Sequence, residues 1–285
     1  MVQASVATPS LRAAIGVPEN SLRLQVDGVT LAVAVEGEGQ DLICLHATGH
    51  GGGDFDTLAA ALRGRYRVIR VDWPGQGRSD DDLRHPHTPE RYAQLLEGMA
   101  HQLQVSNPVI IGCSIGGATA LHYASRNAVR GLVLCDTAGL VPVSWLTRNF
   151  CAAFTRFFRA GSRGARWFPT LFAAYYRHLV LPLPAAAQQR ERIIAAGYEL
   201  APVLTSAWSH FGKPEADIRT LAETLNAPAW FAWARRDRII PLWMCRPAIR
   251  RMQRASLTLF DAGHAAFLEQ PEAFLQAFEK WITEI

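Results

Sequence analysis

One stretch limits what this chain can fold into: Val109-Ile110-Ile111-Gly112-Cys113-Ser114-Ile115-Gly116-Gly117. Its first half is apolar and β-branched, the pattern of a strand buried on both faces. It breaks at Gly-x-Ser-x-Gly and continues as Ala118-Thr119-Ala120-Leu121-His122-Tyr123-Ala124, a helix-forming run. A buried strand that turns sharply into a helix at a serine is a nucleophile elbow. The serine occupies the strained tip of the turn. Gly112 and Gly116 leave room where a Cβ would meet the neighbouring strand or helix. Ser114 then stands at a helix N-terminus, where free backbone N–H groups favour developing negative charge. The pentapeptide alone is a common accident of loops. The strand before it and the helix after it make Ser114 a candidate catalytic serine.

The rest of the chain supports a sheet around that elbow. Leu22–Val26 and Val29–Val35 flank Asp27-Gly28, a hairpin signal. Further strands are predicted at Leu42–Leu45, Tyr66–Val71, Val129–Cys135, Ala229–Ala234 and Ser256–Phe260. Helices are predicted from Asp54 to about Leu62, from Pro89 to about Leu103, and over Leu242–Gln253 and Pro271–Glu284. Strands alternating with helices mean a mostly parallel sheet covered on both faces. Between Gly139 and about Glu215 the strand signals vanish and helical periodicity takes over, with prolines at 169, 182, 184 and 202 dividing the segment. This reads as an insertion. The domain plan is therefore an N-terminal extension over 1–20, taken as a poorly ordered arm. A core follows over 21–138 and 216–285, with a helical insertion over 139–215.

Bulk properties narrow the function. The 285 residues carry a net charge of +4, with 49% hydrophobic and 19% charged residues. That is ordinary for a soluble globular enzyme. No basic run is interleaved with aromatics in a nucleic-acid module, so no nucleic-acid partner is expected. The five cysteines are scattered, without metal-ligand spacing, and no metal is expected. No apolar stretch follows a basic start, and none is long enough to span a membrane. A reduced, cytoplasmic protein is the expectation.

Four segments together resemble the α/β-hydrolase superfamily. They are the elbow Gly112–Gly116, the glycine-dense loop from His46 to Gly53, the loop Asp72-Trp73-Pro74-Gly75-Gln76-Gly77-Arg78-Ser79, and Asp261-Ala262-Gly263-His264 near the C-terminus. The resemblance covers about residue 22 to 285 apart from the insertion. It implies an eight-stranded, mostly parallel sheet with an inserted helical cap, and no cofactor.

A serine hydroxyl needs a base within hydrogen-bond reach, and the base needs a carboxylate to orient it. In this fold the chain order is Ser, acid, His. His264 follows the last predicted strand and is the candidate base. Asp237, in Asp237-Arg238-Ile239-Ile240-Pro241, is the candidate acid, with Asp136 as the alternative that some relatives use. Arg235, Arg236 and Arg238 surround Asp237, and one turned inward would hold it ionised. The N–H of Ile115 is the first implied oxyanion donor. By the family's His-Gly-x pattern, Thr48 in His46-Ala47-Thr48 is the second. Ala47 replaces the usual glycine there and is the other possible donor.

The cap aromatics suggest an apolar pocket. His50, Phe154 and Phe157 are the candidate substrate contacts, and a small molecule with an apolar acyl or aryl group is the expected partner. The cap arginines are read as a solvated face, with an anionic surface, a membrane surface included, as the lesser alternative. The expected activity is hydrolysis of a small to medium carboxylic ester, thioester or lactone through an acyl-enzyme. C–C bond hydrolysis, perhydrolysis and a non-catalytic ligand-binding role are the rivals.

Overall fold

A computed structural model describes residues 10–285. Its centre is an eight-stranded sheet: β1 (Leu22–Val26), β2 (Val29–Glu36), β3 (Gln40–Leu45), β4 (Tyr66–Val71), β5 (Val109–Cys113), β6 (Gly131–Cys135), β7 (Ala229–Ala234) and β8 (Ala255–Phe260). The spatial order is β1-β2-β4-β3-β5-β6-β7-β8. Only β2 runs against its neighbours, β1 and β4. The β1–β2 hairpin turns at Asp27 (φ 44°) and Gly28 (φ 78°), with Val26 opposite Val29. Two positive φ angles in a two-residue turn match the twist of the strands they join.

Strands β5, β6 and β7 are buried along their whole length. That explains why they read as continuous apolar runs rather than alternating ones. Their side chains feed two cores, one on each face. On one side α1 (Asp56–Leu62) and the C-terminal α10 (Ala266–Glu269) and α11 (Pro271–Ile282) pack with Phe55, Phe267, Phe274 and Phe278. On the other lie α2 (Pro89–Gln102), α3 (Ile115–Ala124), α8 (Arg219–Glu223) and α9 (Leu242–Ile249). The Thr88 side chain caps α2, accepting from the Arg91 N–H at 3.2 Å, and Pro89 fills the first turn. Such a cap contributes about 1 kcal/mol.

Residues 139–215 are helical: α4 (Trp145–Ser162), α5 (Phe168–Tyr175), α6 (Ala187–Ala195) and α7 (Gly197–Phe211), with short turns between. The α4 and α7 helices lie against each other, and Phe154 stacks on Trp208 with ring centroids 4.4 Å apart. Pro202 was expected to divide this segment, yet it lies inside α7. Its missing N–H frees only the carbonyl of Tyr198, in the first turn of that helix, whose side chain is exposed.

The expected loose arm over 1–20 divides. Residues 1–9 lie outside the described residues. Residues 10–20 are not an arm. Leu11–Ile15 forms a 3₁₀ turn, Ile15 and Val17 are buried, and the Val17 N–H donates to Asp72. The cause lies in the glycine-dense loop. A Cβ on Gly51 or Gly53 would come within 2.5 or 2.6 Å of the Ile15 carbonyl oxygen. Only glycine lets the two backbones approach so closely. No helix among the described residues is long and apolar enough to cross a membrane.

Candidate active site

The site forms at the C-terminal ends of the parallel strands, where open α/β sheets place their ligands. Ser114 follows β5 with φ 54° and ψ −115° and leads directly into α3. A non-glycine residue in that region costs on the order of 1–3 kcal/mol and is held there by its surroundings. The neighbouring glycines are required. A Cβ on Gly112 would sit 2.4 Å from the Gly116 carbonyl oxygen, and one on Gly116 2.2 Å from that of Leu45.

His264 lies in the loop after β8 and is 4% exposed. Its Nδ1 is 2.9 Å from Asp237 Oδ2, in the loop after β7. This fixes the proton on Nδ1 and leaves Nε2 as the basic nitrogen. Asp237 Oδ1 accepts from the N–H groups of Ile239 (2.7 Å) and Ile240 (3.0 Å). The flanking arginines do not reach it. Arg236 pairs with Asp261, and Arg235 and Arg238 are exposed. Backbone donors, not guanidinium groups, hold this carboxylate. Ser114 and His264 line one cavity without a direct hydrogen bond among the described residues. Contacts of this kind commonly tighten only around substrate.

Three features go beyond the sequence reading, which named Asp136 only as an alternative acid and His50 only as a substrate contact. Asp136, fully buried after β6 at φ 44°, accepts the Ala234 N–H at 2.8 Å through Oδ1, while Oδ2 has no partner. It stands behind Asp237. Ligand-type atoms of Asp136, Asp237 and His264 lie within 4.8 Å of one another, the only such trio among the described residues. Burial, and then the charge of Asp237, push the Asp136 carboxyl well above the usual carboxylate range. A metal finds a poor donor set here, since Asp237 is already engaged by His264 and two backbone N–H groups. The second feature is Glu269. Its Oε2 accepts from the N–H groups of Gly263 (2.6 Å) and His264 (3.3 Å), and its Oε1 from that of Leu183 (2.9 Å). One buried carboxyl thus ties the histidine loop to the helical insertion. The third is a second histidine–aspartate pair. His50 Nδ1 lies 2.7 Å from Asp54 Oδ2, and Gln189 Nε2 joins Asp54 Oδ1 (2.9 Å) to the Ile15 carbonyl (3.0 Å). His50 lines the cavity too. A histidine and an aspartate four residues apart were the available signal.

The loop after β3 is braced from within. Buried His46 donates from Nδ1 to the Ala47 carbonyl (2.7 Å) and accepts the Trp73 N–H at Nε2 (3.0 Å). Burial pulls this imidazole down to about 4, so it is neutral near pH 7. Ala47 and Thr48 line the cavity, and Ile115 opens α3. The N–H groups of all three have no protein acceptor among the described residues.

The cavity measures about 280 Å³ and is mainly apolar. From the insertion, Phe150, Tyr175, Tyr176 and Trp208 face it. Phe154 and Phe157 do not, which corrects their expected place in the wall. The helical face that brings Leu146, Thr147 and Phe150 to the cavity continues behind it at 154 and 157. There Phe154 meets Trp208, and Phe157 packs on Phe168 at 5.1 Å.

Comparison with known proteins agrees with this geometry. A family model described as the alpha/beta hydrolase family matches residues 42–277. The pimeloyl-acyl-carrier-protein methyl ester esterase of Chromobacterium violaceum is 30% identical over 268 residues, covering 87% of this chain and 96% of its own. A thermophilic esterase from Thermogutta terrifontis superposes with a TM-score of 0.75 at 23% identity, over 93% of this chain and 98% of its own. The enol-lactonase from Burkholderia xenovorans gives 0.74 at 20% identity, over 92% and 100%. The elbow, the strand order around it and the match over residues 42–277 lead to one conclusion: the chain belongs to the alpha/beta hydrolase family.

Proposed function

We propose that this hydrolase cleaves a small to medium carboxylic ester, thioester or lactone through an acyl-enzyme on Ser114. The reading rests on one observation above others: Ser114 and His264 line the same apolar cavity, with His264 Nδ1 held by Asp237. His264 Nε2 takes the serine proton as Oγ attacks the substrate carbonyl. The backbone N–H groups of Ile115 and Thr48 receive the oxyanion, at the start of a helix whose dipole favours it. The imidazolium then protonates the leaving oxygen or sulfur. Water repeats the sequence to release the acid, with His264 again as base. No step calls for a cofactor.

The helical segment 139–215 serves as a cap that selects the acyl group. The named relative from Chromobacterium is a pimeloyl-acyl-carrier-protein methyl ester esterase, and an apolar cavity suits an aliphatic acyl chain. Each added CH₂ that leaves water is worth about 0.8 kcal/mol, a severalfold gain in kcat/KM until the cavity is full. On p-nitrophenyl esters of rising length, kcat/KM should climb and then fall. Trp208→Ala and Phe150→Ala should move the optimum to longer chains. Phe154→Ala removes a partly buried ring that stacks on Trp208, so it should lower stability by about 1–3 kcal/mol and leave the optimum in place. A flat profile in the parent protein would remove the acyl-pocket reading. Absence of turnover on esters, thioesters and lactones alike would favour a ligand-binding role.

A further inference from the structure

From Thr137 to Arg190 the chain carries seven arginines and no aspartate or glutamate. Four of them, Arg148, Arg156, Arg159 and Arg163, recur at helical spacing along α4 and its C-cap, and all four are exposed. Arg177 and Arg190 meet Glu191, but these four form no ion pair among the described residues. At 1.5 Å per residue they draw a line of positive charge about 22 Å long. The whole chain has a net charge of only +4, so the charge is concentrated on this face.

Large apolar side chains stand in water at the rim of the cavity, beside this line. Trp145 is 78% exposed and Leu146 63%, in the first turn of α4. Trp243 is 71% exposed, in the first turn of α9. These two turns are lips of the cavity, since Leu146 and Phe150 line it from one and Pro241 and Met244 from the other. Each exposed tryptophan thus stands one residue from the cavity wall. Trp167, at the far end of the arginine line, is 49% exposed. Tryptophan favours the boundary between headgroups and acyl chains, and arginine favours anionic headgroups. A helix that presents both is suited to lie in the plane of a membrane surface.

We propose that this face docks on an anionic lipid surface, with α4 along the headgroups and Trp145 and Trp243 inserted at the cavity mouth. The docked mouth opens an apolar cavity directly onto acyl chains, so an apolar substrate enters without crossing water. An acidic protein would satisfy the arginines. It would not explain why two lips of the cavity end in exposed tryptophan.

The test uses the full chain with vesicles of phosphatidylcholine, with and without phosphatidylglycerol, followed by co-sedimentation and tryptophan emission. Binding should be at least about tenfold tighter on the anionic vesicles and should fall with added salt. Each basic residue near such a surface is worth about fivefold, so R156E/R159E/R163E should lose about a hundredfold or more. W145S/W243S should lose about tenfold and much of the blue shift. Both variants should hydrolyse a short soluble ester as the parent does. Ser114→Ala should bind vesicles like the parent, so failure of the hydrolase reading leaves this test intact. Equal binding to neutral vesicles, or binding indifferent to the arginine changes, would overturn the proposal. So would arginine-dependent binding to an acidic acyl carrier protein without binding to vesicles.

Discussion

Ser114→Ala should lose about 10⁴- to 10⁶-fold in kcat while the protein stays folded. The loss is large because in the proposed mechanism the hydroxyl forms the covalent bond. The remaining rate comes from the oxyanion donors and from binding, which the substitution leaves alone. Alanine can follow the backbone of Ser114, and the side chain removed makes no hydrogen bond to the described residues, so stability should change little. A fluorophosphonate should label the parent at Ser114 and nowhere else. Labelling that survives in the alanine variant would sink the assignment. Ser114→Ala/His264→Ala should be no slower than Ser114→Ala alone, because the base has no role once its nucleophile is gone. A further loss in the double variant would point to a second function for His264.

The elbow was legible because its chemistry is local. A strand, a strained turn and a helix need glycines at fixed offsets, and Gly112 and Gly116 are forced by backbone atoms 2.4 and 2.2 Å from any added Cβ. The central strands β5, β6 and β7 were legible because burial on both faces leaves continuous apolar runs in them. Their order in space was legible only through the family resemblance, since crossover connections leave no mark on the residues they join. The N-terminal segment misled for a related reason. Ile15 and Val17 stand among small residues and a proline, with no helical or strand period to mark them. What buries them is a loop some 35 residues away, whose glycines exist to admit them.

The geometry of the candidate site was legible where one residue type has few other uses at that place, as for Ser114, Asp237 and His264, which the structure brings to neighbouring strand ends. It was not legible where function depends on which way a helix face turns. Phe150 and Phe154 share a face of α4, yet only Phe150 reaches the cavity, because Trp208 of α7 stacks over Phe154. His50 was picked out, but its support was not. Gln189 reaches Asp54 and the Ile15 carbonyl together from far along the chain, and no spacing rule connects the three. Glu269 belongs with them. It sits in a helical turn five residues past His264, where a surface role is the ordinary reading of a glutamate. Its burial and its three backbone donors come from the fold.

Asp237→Asn should cost about 10⁴-fold in kcat, while Asp136→Asn should cost less than about tenfold. The two residues are both aspartates at adjacent strand ends, and both lie close to the histidine. Their hydrogen bonds separate them. Asp237 accepts from His264 Nδ1, and an amide there would present an N–H or turn the ring to the wrong tautomer. Asp136 is pushed well up by burial and by the charge of Asp237, and among the described residues no hydrogen bond joins it to His264. Asparagine at 136 keeps the acceptor for the Ala234 N–H; Asp136→Leu loses it and should fall well below Asp136→Asn in kcat with KM little changed. The sign of the pH effect on stability follows from the same shift. Asp136 binds its proton more tightly folded than unfolded, so the parent loses stability as pH rises from the ordinary aspartate range toward the raised value. Asparagine does not titrate. The Tm of Asp136→Asn relative to the parent should therefore be more favourable at pH 8 than at pH 5. A constant Tm difference, or Asp136→Asn as the crippling change with Asp237→Asn mild, would exchange the two roles.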